Sequence, residues 1–93
     1  MACTFNLTKR FKDQGWKLKI RDRERVEPPH VSLIHGIRTW RFCLRNGVFL
    51  DKVPPPRDVP AEVVHELVRR LDEFTVVWDR LYPENPVSSG GDT

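Results

Sequence analysis

The stretch Ile37–Leu50, IRTWRFCLRNGVFL, decides the fold. Trp40, Phe42 and Leu44 alternate there with Thr39, Arg41, Cys43 and Arg45, the period of two that gives a β-strand one apolar and one polar face. Asn46-Gly47 follows, a two-residue hairpin signal, because both central positions of such a turn need positive φ. Val48, Phe49 and Leu50 then begin a returning strand, which Asp51 and Lys52 end.

Reading outward, Gly36 supplies a turn on the upstream side. His30–His35 forms another strand, with Val31 and Leu33 facing inward and His30, Ser32 and Ile34 facing outward. Glu27-Pro28-Pro29 forces an extended approach to it. From Trp16 to Arg23 the alternation recurs: Trp16, Leu18 and Ile20 on one side, and Lys17, Lys19, Arg21 and Arg23 on the other. Downstream, Pro54, Pro55 and Pro56 cannot continue a ladder and form a stiff connector. Asp58 reads as a helix N-cap, with Pro60 and Glu62 in the first turn. Val64, Leu67, Leu71, Phe74, Trp78 and Leu81 then recur at helical spacing, and Pro83 ends the run. A sheet with one apolar face must be covered, and this stripe is the cover. The expected fold is therefore α+β. An antiparallel meander of three to four strands (about 16–23, 30–35, 37–45 and 48–51) packs on one long C-terminal helix (about 59–82). Residues 1–82 make a single domain and 83–93 a flexible tail. Phe5, Leu7 and Phe11 leave open an additional N-terminal edge strand.

The chain has 93 residues, the size of one domain. It has room for one core, not for a core and an enclosed cofactor pocket as well. With 39% hydrophobic and 31% charged residues it has the composition of a folded globular protein. There is no apolar run of membrane-spanning length, and Met1–Arg10 lacks the apolar stretch of a signal peptide, so a cytoplasmic protein with no membrane partner is expected. Cys3 and Cys43 read as reduced thiols, since disulfide scaffolds of this size use more cysteines.

Charge is divided unevenly. Residues 1–50 carry eleven Lys/Arg against four Asp/Glu, while residues 51–93 carry five against nine. A basic sheet beside an acidic helix fits either an anionic partner or internal complementarity. On the outward sheet face Lys17, Lys19, Arg21, Arg23, Arg41 and Arg45 form a candidate phosphate-binding patch. No aromatic shares that face, except at Phe49, which argues for backbone contact over base reading.

Chemistry beyond binding has few candidates. His30 and His35 are separated by an odd number of positions and fall on opposite faces, so they make no joint metal site or acid/base pair. His30 alone, among cations, is a weak candidate for a general base in metal-free RNA cleavage. His65 reads as a solvated helix residue. A Gly-rich phosphate loop, a nucleophile elbow and a paired-carboxylate motif are all lacking, so neither a cofactor nor a metal is expected and enzymatic activity is disfavoured.

Lys19-Ile20, Pro28-Pro29-His30-Val31, the hairpin around Asn46-Gly47, Val59-Pro60 and the helix through Trp78 together resemble a family of small bacterial proteins of unknown function. The resemblance covers roughly residues 15–82, and Pro-Pro-His is its specific element. That family places a second histidine two residues after the first, where this chain has Ser32. Its members are often encoded beside a small partner protein in toxin–antitoxin-like pairs. The resemblance thus implies a protein-binding or nucleic-acid-associated role and no established reaction.

Three functions follow as expectations. The first is a non-catalytic module binding nucleic acid or a partner protein through the basic face. The second is a ribonuclease-like toxin using His30. The third is an interaction domain whose helix, around Trp78 and Leu81, forms a homodimer.

Overall fold

Alternating strands fold into a four-stranded antiparallel meander in the computed structural model, which describes residues 3–21 and 27–88. Strand β1 (Cys3–Phe5) pairs with β2 (Trp16–Ile20), β2 with β3 (His30–His35), and β3 with β4 (Arg38–Cys43). The short helix α1 (Lys9–Asp13) connects β1 to β2, and Gly15 turns the chain into β2 at a φ of 90° that favours glycine. The N-terminal stretch therefore does add the edge strand, and Phe5, Leu7 and Phe11 all join the core.

Register explains the two faces. Phe5, Leu18, Leu33 and Trp40 lie in one row across the sheet, and all four are buried. Thr4, Lys19, Ser32 and Arg41 form the neighbouring row on the opposite face. The apolar face is closed by α2 (Ala61–Arg69) and α3 (Leu71–Leu81), whose Val63, Leu67, Phe74 and Trp78 are each at most 1% exposed. The Phe5 and Phe74 rings meet edge to face at 4.9 Å, joining the first strand to the last helix.

Several expectations change. The single helix over 59–82 is two helices, broken at Arg70, whose φ of −106° and ψ of 14° leave the helical region. Neither proline nor glycine occupies the break. The Arg70 guanidinium instead donates to the Asn6 carbonyl at 2.7 Å and forks onto Glu73 at 2.9 and 2.8 Å, tying the junction to the β1–α1 connection. The stripe begins at Val63 in place of Val64, and the buried Glu66 lies between Arg69 and Arg70. Asp58 does not cap the helix. It belongs to a 3-10 turn (Pro56–Asp58) and pairs with Arg38, while Pro60 precedes α2.

The hairpins differ in the same way. Gly36-Ile37 is the two-residue turn, closed by His35 opposite Arg38, with Gly36 at a φ of 62°. Asn46-Gly47 lies in a four-residue connection, because the Leu44 amide still donates to the Pro29 carbonyl at 2.9 Å and Leu44 is buried. The chain turns only afterwards, and Cys43 N–H reaches Val48 O at 2.8 Å. The returning strand over 48–51 shrinks to an isolated bridge, Phe49 opposite Phe42. The strand over 16–23 ends at Ile20 among the described residues. Residues 83–88 do not trail away: Tyr82 and Val87 are buried, Val87 N–H donates to Asp79 at 2.8 Å, and Asn85 donates to the Glu27 carbonyl at 2.8 Å. Residues 89–93 lie outside the described residues.

Candidate nucleic-acid interface

Strand β2 displays its basic side as the alternation requires. Lys17 is exposed beside Ile34, and Lys19 is half-buried beside Ser32. Their α-carbons are two strand residues apart, about 7 Å. Neither forms an ion pair with any described residue.

The arginines on that face are placed differently. Arg41 grips Asp51 with two hydrogen bonds, Nε to Oδ2 at 2.8 Å and Nη2 to Oδ1 at 2.6 Å. Its remaining arm donates to Glu27 Oε1 at 2.8 Å. Hydrogen bonding from Arg41, against an opposing cost of burial, holds the Asp51 carboxyl below its ordinary range, and the same bonds raise Arg41 further above its already high value. A guanidinium between two carboxylates offers little attraction to phosphate. Arg45 is also engaged: it donates to Val87 O and Pro86 O, both at 3.0 Å, and to Asn85 Oδ1 at 3.1 Å. That arginine clasps the C-terminal segment to the β4 hairpin. Arg21 is exposed, and its carbonyl accepts the Tyr82 hydroxyl. Arg23 lies outside the described residues.

His30 occupies the outward parity of β3 yet is fully buried. Its Nδ1 is 2.8 Å from the Pro28 carbonyl, its Nε2 is 3.9 Å from Glu27 Oε1, and its ring packs 5.6 Å from Trp78. A general base must come within hydrogen-bond reach of its substrate, and this ring faces no solvent. Ser32 is likewise 1% exposed. The outward face is thus open around Lys17 and Lys19 and closed toward His30.

Trp78 and Leu81, read as a partner surface, belong to the core. Trp78 is fully buried, donates from Nε1 to the Asn85 carbonyl at 2.8 Å and packs 4.4 Å from Tyr82. Leu81 is half-buried against the same cluster. Cys3 and Cys43 are free thiols. Among the described residues no group of three or more His, Cys, Asp or Glu side chains is placed to hold a metal ion, and no helix is long and apolar enough to cross a membrane.

Sequence reasoning located Lys17 and Lys19 because strand alternation alone orients them. It missed Glu27 and Asp51, the partners of Arg41, which are 14 and 10 residues away in sequence. The one signal that could have found them is their charge, at the two chain segments that bracket the β3–β4 pair. The chain matches no family model, no curated protein and no solved structure.

Proposed function

We propose that this chain is a non-catalytic module that binds the phosphate backbone of nucleic acid through Lys17 and Lys19. The observation that carries the reading is the pairing pattern of the outward sheet face. Arg41 and Arg45 are held internally, whereas the two adjacent lysines of β2 engage no described side chain. Ammonium groups on flexible stems, with no ion pair to a described residue, suit phosphate as mobile point charges, and they carry no base-reading geometry. Sequence-independent, salt-sensitive contact follows. With His30 enclosed, the ribonuclease alternative loses the base it relied on.

Fluorescence anisotropy of labelled RNA and DNA, single- and double-stranded, over a salt series tests this. The expected result is binding that weakens steeply with salt, and a Lys17→Glu/Lys19→Glu double variant about tenfold weaker, with a salt slope smaller by about two. Absence of binding by the parent chain at low salt overturns the reading, and a gel of the same samples would expose any cleavage.

A further inference from the structure

A cleft of about 210 Å³ opens where β1, α1 and the start of β2 meet, lined by Thr4–Leu7, Lys12 and Trp16–Leu18. Three features distinguish it from an ordinary packing gap. Its lining includes four core residues, Phe5, Leu7, Trp16 and Leu18, so its wall is anchored and not free to collapse. Asn6 is held in place, because its carbonyl accepts a hydrogen bond from the half-buried Arg70 guanidinium at 2.7 Å. The cleft also carries two cations, Lys12 from α1 and Lys17 from β2, and neither forms an ion pair with a described residue.

Thr4 and Lys17 both have the outward parity of the sheet, so the cleft continues the same face on which Lys19 stands. A ligand seated there is offered apolar lining and two lysines, with a third whose α-carbon lies about 7 Å farther along β2. A fatty acid has one charge and leaves Lys19 unmatched. A chain of phosphates with an apolar, planar unit at each repeat matches the whole series. The volume lies below the range of about 300–1,000 Å³ usual for drug-sized ligands, which limits the occupant to one such unit.

We propose that the cleft receives one unstacked nucleotide of a single strand, its base against the Phe5–Leu7 and Trp16 wall, its flanking phosphates on Lys12 and Lys17, and the next phosphate on Lys19. This rests on the nucleic-acid reading above and refines it to single strands. Trp16 is already stacked on His35 at 4.3 Å, so the base gains contact with the wall and not a full aromatic sandwich. The affinity therefore depends on salt, and the preference for single strands over duplex on the cleft.

The test is a pair of titrations followed by amide and indole NMR, one with a short oligothymidylate and one with adenosine monophosphate, repeated on Thr4→Trp and Lys12→Gln variants. Both variants alter exposed positions, and a thermal melt checks that each is folded. The expected outcome is movement of the Thr4, Asn6 and Lys12 amides and the Trp16 indole. The filled cleft of Thr4→Trp should lose about fivefold in single-strand affinity while duplex binding stays unchanged. Oligonucleotide shifts confined to Lys17 and Lys19, or parent-like affinity in a folded Thr4→Trp, overturn the cleft and leave the backbone reading standing. Should Thr4→Trp not fold, Lys12→Gln decides: a threefold or greater single-strand loss supports the cleft, and an unchanged affinity overturns it. If no oligonucleotide binds but the monophosphate moves the cleft amides, the backbone reading and the single-strand proposal both fail, and the cleft is a mononucleotide site instead. Silence with both ligands overturns both.

Discussion

Arg41 turns a surface strand position into a structural joint. Its guanidinium links the residue just before Pro28 to the stretch after the β4 hairpin, through Glu27 and the two oxygens of Asp51. About a third of each side chain remains exposed, so solvent screening trims the gain. Replacing Arg41 by Met should cost about 1–2 kcal/mol, a fall of roughly 5–15 °C in Tm, and should leave nucleic-acid affinity at Lys17 and Lys19 unchanged. The pair also sets an acid limit. The Asp51 carboxyl is depressed in the folded chain by its hydrogen bonds from Arg41, and that of Glu73 by those from Arg70, so the unfolded chain takes up these protons first. The stabilisation is complete at neutral pH, begins to fall near the ordinary carboxylate value of about 4, and is gone below the depressed folded values. Thermal melts between pH 7 and pH 2 should show Tm dropping in that window, with a shallower drop for Asp51→Asn. An equal slope in the variant would remove Asp51 from the explanation. His30 shows why residue-scale reading of a strand has limits. Parity assigns it outward, but the ring is fully buried against Trp78, and whether such a position sees solvent depends on segments far away in sequence.

The C-terminal stripe was legible as helix from its three- and four-residue spacing, and Leu67, Phe74 and Trp78 are buried as that spacing requires. Its break was not legible, since Arg70 is a good helix former and the sequence carries no proline or glycine there. The kink coincides with a bond to the Asn6 carbonyl, 64 residues away, and a local pattern does not contain such a partner. The hairpins carry the same lesson. Asn46-Gly47 has the better two-residue turn chemistry, yet burial of Leu44 and its bond to Pro29 carry the ladder onward and defer the turn. At this scale Trp78 is a core anchor. Trp78→Ala should cost about 3–5 kcal/mol, seen as a large loss in denaturant midpoint. Unchanged stability accompanied by a change in oligomeric mass would restore it to a partner surface.

Across the whole molecule, residues 83–88 tie the C-terminal segment to the start of β3 and the end of β4. Asn85 reaches the Glu27 carbonyl, Arg45 reaches Asn85, Pro86 and Val87, and Val87 packs into the core. Deleting residues 83–93 should lower stability by about 2–4 kcal/mol, less than the simple total of its bonds because they share partners. A truncated chain with the parent's Tm would make the segment an ornament. The charge division between the two halves of the chain is also expressed at this scale, in part as internal complementarity. Arg10 with Glu62 and Arg38 with Asp58 are basic-half to acidic-half pairs, while Lys17 and Lys19 form no such pair with a described residue. By itself, the sequence determined the antiparallel meander, the apolar helical cover and the basic side of β2, because periods of two and of three to four follow from backbone geometry over neighbouring residues. Only the tertiary structure decided which outward residues are buried, which cations are already paired, where the helix breaks and that a cleft opens beside Lys12. Each of those depends on groups brought together from distant positions, whose contact energies no local periodicity records.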